Sequence, residues 1–136
     1  MNKWQAQDVF WNGFGLPAFD ENTVPEEIWD EELQKIVKLE MPYLTYEAVS
    51  GNMDAQSTVT VNLWYRSNSW AEISQKAEYI AKTISEDTRP AIPIDGGFMK
   101  VRLPDGTMHS NRMSEPSDRQ VRRIRFLVEI EFLTAY

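Results

Sequence analysis

The residues of this chain that could carry chemistry are few, and each can be weighed on its own. Asp20 and Glu21 form a carboxylate pair of the kind a glycosidase uses, but that reaction needs one carboxyl kept protonated by an apolar pocket beside one that stays ionised. The pair stands instead in a segment rich in other acids, with no apolar pocket in sight. His109 is the single histidine and lies in a polar stretch, so it reads as an exposed side chain and leaves no multi-histidine metal site or paired-histidine mechanism. Asp95-Gly96-Gly97-Phe98 lacks the lysine and the following helix of a phosphate-binding loop, and reads as a turn. The sequence contains no Gly-x-Ser-x-Gly and no Gly-x-Gly-x-x-Gly motif. With no cysteine, a disulfide framework, a thiolate zinc site and a cysteine nucleophile are excluded together. No catalytic residue, cofactor site or metal ligand is expected, and the chain is not expected to be an enzyme.

A basic group, Arg119, Arg122, Arg123 and Arg125, invites a nucleic-acid reading. Arg122 falls on the core-facing parity of the last strand, however, while Arg123 and Arg125 share the other face with Glu129 and Glu131, where cross-strand ion pairing accounts for most of the group. The net charge of −7 also opposes strong phosphate binding. Residues 1–56 hold 3 bases against 11 acids, and residues 57–136 hold 11 bases against 10 acids. Asp20 to Glu32 alone carries 7 acids and no base, as a solvated face or as a surface for a basic partner. A flat charged strand face can also dock a neighbouring subunit. Many such surfaces and no chemistry make assembly the leading functional class.

The elements that position these residues follow from periodicity. Trp4 to Phe14 reads as a short helix stopped by Gly13 and Gly15, with aromatics that must bury against the domain or a neighbour. Leu16 to Val24 reads as a loop between prolines. Thr23, Pro25, Glu26 and Glu27 resemble a helix start, and Ile28, Trp29, Leu33, Ile36 and Val37 recur at helical spacing, so a second helix is expected up to Leu39. Tyr43 to Val49 and Thr58 to Arg66 read as an antiparallel strand pair. Ser69 and Glu72 have capping-box spacing, and the stripe Trp70, Ile73, Ala77, Ile80, Ala81, Ile84 predicts an amphipathic helix that packs on a sheet through Trp70 and Ile73. Pro90 and Pro93 follow it. Phe98 to Leu103 and Val121 to Leu133 complete the strands, the latter as a central antiparallel one. Thr107 to Asp118 is polar and irregular and reads as a mobile loop that orders on assembly.

At 136 residues, 42% apolar and 26% charged, the chain suits a single domain, with an N-terminal helical and acidic segment 1–41 and a sheet-plus-helix core 42–136. Its mean hydropathy of −0.48 and the lack of a run of about 18 apolar residues leave no membrane span. Its start has no signal-peptide pattern, so a cytoplasm is the expected place of synthesis.

Four segments, read in order, carry a resemblance. They are Leu16-Pro17-Ala18-Phe19-Asp20-Glu21-Asn22-Thr23-Val24-Pro25, Pro42-Tyr43-Leu44-Thr45-Tyr46-Glu47, Leu63-Trp64-Tyr65-Arg66-Ser67-Asn68-Ser69-Trp70 and Arg112-Met113-Ser114-Glu115-Pro116-Ser117-Asp118, closed by Arg122-Arg123-Ile124 and Val128 to Thr134. Together they resemble the tail terminator, or tail completion, proteins of long-tailed phages and prophages. Glu26 to Met41 departs from the family pattern, being longer and more acidic than the usual step between the Val-Pro and Pro-Tyr segments.

The resemblance implies an α+β fold, an antiparallel four-stranded sheet with helices packed on one face. It implies a structural virion protein at the head–tail interface, assembled in the bacterial host cytoplasm. Such a protein forms a ring, often a hexamer, that caps the tail tube, stops its polymerisation and joins the tail to the head connector. The expected partners are therefore other copies of the chain, tail tube protein and a head connector or neck protein. DNA passes through without specific binding, and no membrane is involved. Trp4, Trp11, Trp29, Arg112, Met113, Asp118, Arg123 and Arg125 are the residues expected at subunit or partner contacts. A head-side neck protein of the same machinery is the nearest alternative, and a small enzyme, marked by a pocket of perturbed carboxylates, the alternative from another class.

Overall fold

In the computed structural model, which describes residues 1–86 and 91–135, the chain folds in the order α1 (Lys3–Asn12), β1 (Ala18–Asp20), β2 (Glu27–Asp30), β3 (Lys35–Lys38), β4 (Tyr43–Tyr46) and β5 (Gln56–Arg66). There follow α2 (Ala71–Ser85), β6 (Ile92–Ile94), β7 (Gly97–Arg102), a single 3-10 turn (Pro104–Gly106), β8 (Ser110–Glu115) and β9 (Asp118–Thr134). Pro90, placed by the sequence in the connection after the second helix, lies outside the described residues. No helix among the described residues is long and apolar enough to cross a membrane.

Seven strands form one mixed, curled sheet in the order β1-β4-β5-β9-β7-β6, with β8 also paired to β9. This half-barrel replaces the antiparallel four-stranded sheet with helices packed on one face that the resemblance implies. The extra strands are short. β1 lies between two prolines and pairs parallel to β4, β6 contains Pro93 and folds back on β7 around Asp95-Gly96, and β8 is polar. Each is added by hydrogen bonding to a strand ordered by its own apolar face, so its own residues carry little periodic signal.

The segment expected as a mobile loop, Thr107 to Asp118, is corrected by the same fact. Its middle is β8, which pairs antiparallel with β9 from Ser110↔Phe126 to Ser114↔Arg122 and turns through Pro116-Ser117.

The helix expected over residues 25–39 is likewise an antiparallel hairpin, β2 against β3, in a two-stranded sheet separate from the main one. Asp30 Oδ1 accepts the N–H groups of Glu32 (2.9 Å) and Leu33 (3.0 Å), which turns the chain where a helix would continue. Gln34 then adopts a left-handed φ of 52°, incompatible with helix. The apolar pairs Ile28/Trp29 and Ile36/Val37 fit a helical stripe and a hairpin equally well. Their β-branched and aromatic side chains favour the strand, where Trp29 faces Ile36 and Ile28 faces Val37.

Both remaining helices are anchored specifically. Asn2 caps α1 reciprocally, accepting the Gln5 N–H at 2.8 Å while Gln5 Oε1 accepts that of Asn2 at 3.0 Å. The buried Gln7 ties α1 to the chain beyond β4, donating to Val49 O (2.6 Å) and accepting from Val49 N (2.7 Å). The capping box expected on α2 does not form; Ser69 Oγ accepts the Ala71 N–H at 3.0 Å instead. Trp70, expected in the core, is only partly buried, with the Arg112 and Arg122 guanidinium groups over its ring at 5.2 and 5.3 Å.

One hydrophobic cluster joins α1, α2 and the sheet. It includes Phe10 and Trp11 from α1, Phe14 just beyond it, Ile73, Ile80 and Ile84 from α2, and Phe126, Val128, Ile130 and Phe132 from β9. Trp11 is its hub, with ring contacts to Phe10 (4.8 Å), Phe14 (5.9 Å), Tyr46 (6.2 Å) and Phe126 (6.4 Å). Gly97 is required by close approach, since a Cβ there would overlap the Leu133 carbonyl. Trp11→Ala should therefore cost about 3–5 kcal/mol, whereas Ile36→Ala on the hairpin should stay within about 0.5 kcal/mol. Urea melts of the two variants check this, and equal losses would contradict the assignment of Trp11 to the core.

Candidate functional site

Strand alternation divides the sheet into two chemically different faces. On β5, Val59, Val61, Leu63 and Tyr65 point into the core, which places Thr58, Thr60, Asn62 and Trp64 on the opposite face. The registers carry this division across the neighbouring strands, aligning Tyr43↔Trp64↔Arg123↔Met113 in one row and Thr45↔Asn62↔Arg125↔Asn111 in the next. No helix packs over this second face among the described residues.

The first row is a continuous band of aromatic and basic groups. Phe19 on β1 meets Tyr43 edge to face at 6.2 Å, and Tyr43 stacks on Trp64 at 6.3 Å and 29°. The Arg123 guanidinium lies 4.9 Å over the Trp64 ring, with one nitrogen 3.8 Å from a Glu115 carboxylate oxygen. Trp64 Nε1–H donates to Thr45 Oγ1 at 2.9 Å, which fixes the indole against the sheet. Beside the band is a depression of about 270 Å³ whose floor is Thr60 and Asn62. Arg123, Arg125 and Met113 border it on one side, Glu21 and Glu47 on the other. Glu47 Oε1 accepts the Thr60 N–H at 3.1 Å. Asn62 is only 8% exposed, yet its Oδ1 has no hydrogen-bond partner among the described residues, and neither does Arg123 Nε.

Burial and pairing shift several of the titratable groups. Burial pushes the Tyr43 and Tyr65 hydroxyls up from their ordinary values, and burial followed by the Asp8 carboxylate does the same to Tyr46. A hydrogen bond from Arg66 holds Asp118 below its ordinary value. Each of these shifts carries the group's pKa further from 7, so none of them poises an acid or base for proton transfer near pH 7. No cluster of three potential metal ligands occurs among the described residues.

The residues singled out from sequence fall in different places. Met113, Arg123 and Arg125 come together on the open face. Arg112, one residue from Met113, points to the other side of β8 and stacks on Trp70 near α2. Asp118 lies at the start of β9, paired to Arg66 at 2.6 Å. Trp29 is 51% exposed on the hairpin, and Trp4 is 54% exposed on the outer side of α1. Trp11 is withdrawn from any interface, because it is fully buried at the centre of the core. The sequence reading missed Phe19, Tyr43, Asn62 and Trp64 as surface-forming residues. The signal was a large aromatic, Trp64, at the polar parity of a strand whose other parity is fully apolar.

No protein-family model matches the chain, and no curated protein matches it. The character of the surface therefore rests on its own geometry.

Asp118 provides a test of the contact between the start of β9 and the end of β5. Because its folded pKa lies below the unfolded one, the pair with Arg66 adds stability above the ordinary carboxylate range and loses it as pH falls through the folded value. Titration of the Asp118 carboxyl by NMR should give a lowered pKa that returns toward normal in Arg66→Gln. An unchanged value in that variant would contradict the pairing.

Proposed function

We propose that this chain is a structural protein of the phage tail terminator class, forming a ring that caps the tail tube, stops its polymerisation and joins the tail to the head connector. One observation carries the reading. Four of the segments on which the resemblance rests contribute one residue each to a single row on the open sheet face, Tyr43, Trp64, Met113 and Arg123, and a further segment supplies Phe19, which meets Tyr43 edge to face from the adjoining row. Segments far apart in sequence thus supply one surface rather than a catalytic constellation. Half-buried Trp, Tyr and Arg are the types that dominate association energies, because they bring large rigid area together with a polar tip.

The chain also bears a second, different exposed surface, the hairpin with Trp29, Leu33 and Ile36. Two unlike surfaces on one subunit favour head-to-tail contacts, which close into a ring when the rotation fits. The net charge of −7 lets a DNA duplex pass such a ring without specific binding, since phosphate contacts need an excess of bases. On this reading the chain is no enzyme, needs no cofactor and resides in the virion at the head–tail interface, its partners being its own copies, the tail tube protein and the head connector.

Sedimentation across a wide concentration range, alone and with tail tube protein, followed by imaging of the particles, tests the proposal. A closed ring, of six subunits in the usual case, seated on the last ring of the tube is the expected result. A strict monomer in both conditions would overturn it, and a ring found only on the head side would assign the chain to the neck instead.

A further inference from the structure

Two buried polar atoms without partners among the described residues, Asn62 Oδ1 and Arg123 Nε, belong to residues that line the same depression on the open sheet face. Leaving such atoms unmet is costly, so their coincidence points to a group that the isolated chain lacks: a donor for Asn62 and an acceptor, best a carboxylate, for Arg123. Arg125 adds a second guanidinium, and Glu21 and Glu47 face it across the floor. An occupant must therefore bring both signs of charge, and an apolar edge for the adjoining band of Trp64 and Met113.

The hairpin offers that combination. Its register places Trp29 opposite Ile36 and Glu27 opposite Lys38, all four on one face, and all four are exposed. Trp29 is 51% and Ile36 64% exposed, which is unusual for an apolar cross-strand pair with nothing over it. Along the strands the spacing also matches. On the hairpin the Trp29–Ile36 pair lies two residues from the Glu27–Lys38 pair, and on the sheet the Trp64–Met113 row lies two residues from the Asn62–Arg125 row. Two β surfaces of equal period can mate row on row. Charge agrees, because Glu26, Glu27, Asp30, Glu31 and Glu32 lie in or beside the hairpin while the arginines gather on β9.

We propose that the β2–β3 hairpin of one copy of this chain lies across the open sheet face of a neighbouring copy, with Trp29 and Ile36 on Trp64 and Met113, Glu27 at Arg123 and Arg125, and Lys38 at Asn62 and Glu47. The contact rests on the reading that the chain self-assembles and names the surfaces through which it does so. It joins unlike surfaces, so each copy can both give a hairpin and receive one. It also accounts for the departure of Glu26 to Met41 from the family pattern: the longer, more acidic insert is the arm that reaches the neighbour.

The chain has no cysteine, so single-cysteine variants cross-link cleanly. Ile36→Cys and Met113→Cys proteins are mixed in equal amounts and oxidised mildly. The expected product is a mixed disulfide dimer, formed at least tenfold more than with Ile36→Cys and the remote control Tyr79→Cys. Arg125→Glu in the Met113→Cys partner should suppress it, and Glu27→Arg in the Ile36→Cys partner should restore it. The double variant should give a ladder of linked chains. A mixed dimer no more abundant than the control, or Ile36→Cys pairing mainly with itself, overturns the contact. Rings that form without this cross-link overturn the contact and leave the ring; linked open chains that never close keep the contact and overturn the ring.

Discussion

The backbone pairing of β9 constrains everything else in this molecule. Its 17 residues exchange hydrogen bonds with β5 along one edge and with β8 and β7 along the other, so three separate stretches of chain take their register from one strand. Side chains alternate along it, and the register therefore fixes which residues of all four strands enter the core. Ile124, Phe126, Val128, Ile130 and Phe132 are buried with hardly any exposure. At roughly 1.5–3 kcal/mol each, these five would forfeit on the order of 10 kcal/mol in a one-residue slip, about as much as a whole domain's net stability. That penalty is what makes the opposite face equally well defined.

The surface of interest is thus a by-product of the core. Arg123, Arg125, Trp64 and Asn62 are held in line because their sequence neighbours are locked inward, and no loop has to be ordered to present them. Such preorganisation lowers the entropy lost on association. The hairpin is built on the opposite principle. It pairs only with itself, carries Trp29, Leu33 and Ile36 to solvent, and owes its shape to the Asp30 turn and the left-handed Gln34. In the proposed assembly, a rigid sheet face and a separate hairpin on one chain would be the two unlike surfaces that head-to-tail association requires.

How much of this the sequence disclosed depended on whether local pattern or long-range pairing decides the structure. The strands around Val59 to Tyr65 and Ile124 to Phe132, and the helix carrying Ile73, Ile80 and Ile84, are written in their apolar periodicity and were legible. Residues 25–39 were not, because spacings of seven and eight between Ile28/Trp29 and Ile36/Val37 satisfy both a helix and a hairpin. The deciding group is one carboxylate, Asp30, whose turn has no periodic signature. β8 was illegible for another reason: its ordering comes from β9, not from its own polar residues. Of the interface candidates, Met113, Arg123 and Arg125 were readable as the non-core parity of strands. Trp11 was misplaced because helical spacing near a chain end does not tell a core aromatic from an exposed one, and here four aromatic contacts draw it inward.

The central claim is that the open face of the sheet is an assembly surface and not merely a solvated one. Arg125 is exposed and has no ion pair among the described residues, so reversing its charge perturbs that face while leaving the core intact. Sedimentation equilibrium of the wild-type chain and of Arg125→Glu, over the same protein concentrations and at equal melting temperature, compares the two directly. The account predicts association in the wild type that weakens at least tenfold in the variant. A wild type that remains monomeric at every concentration both alone and with tail tube protein, or a variant that associates as strongly as the wild type, would contradict it.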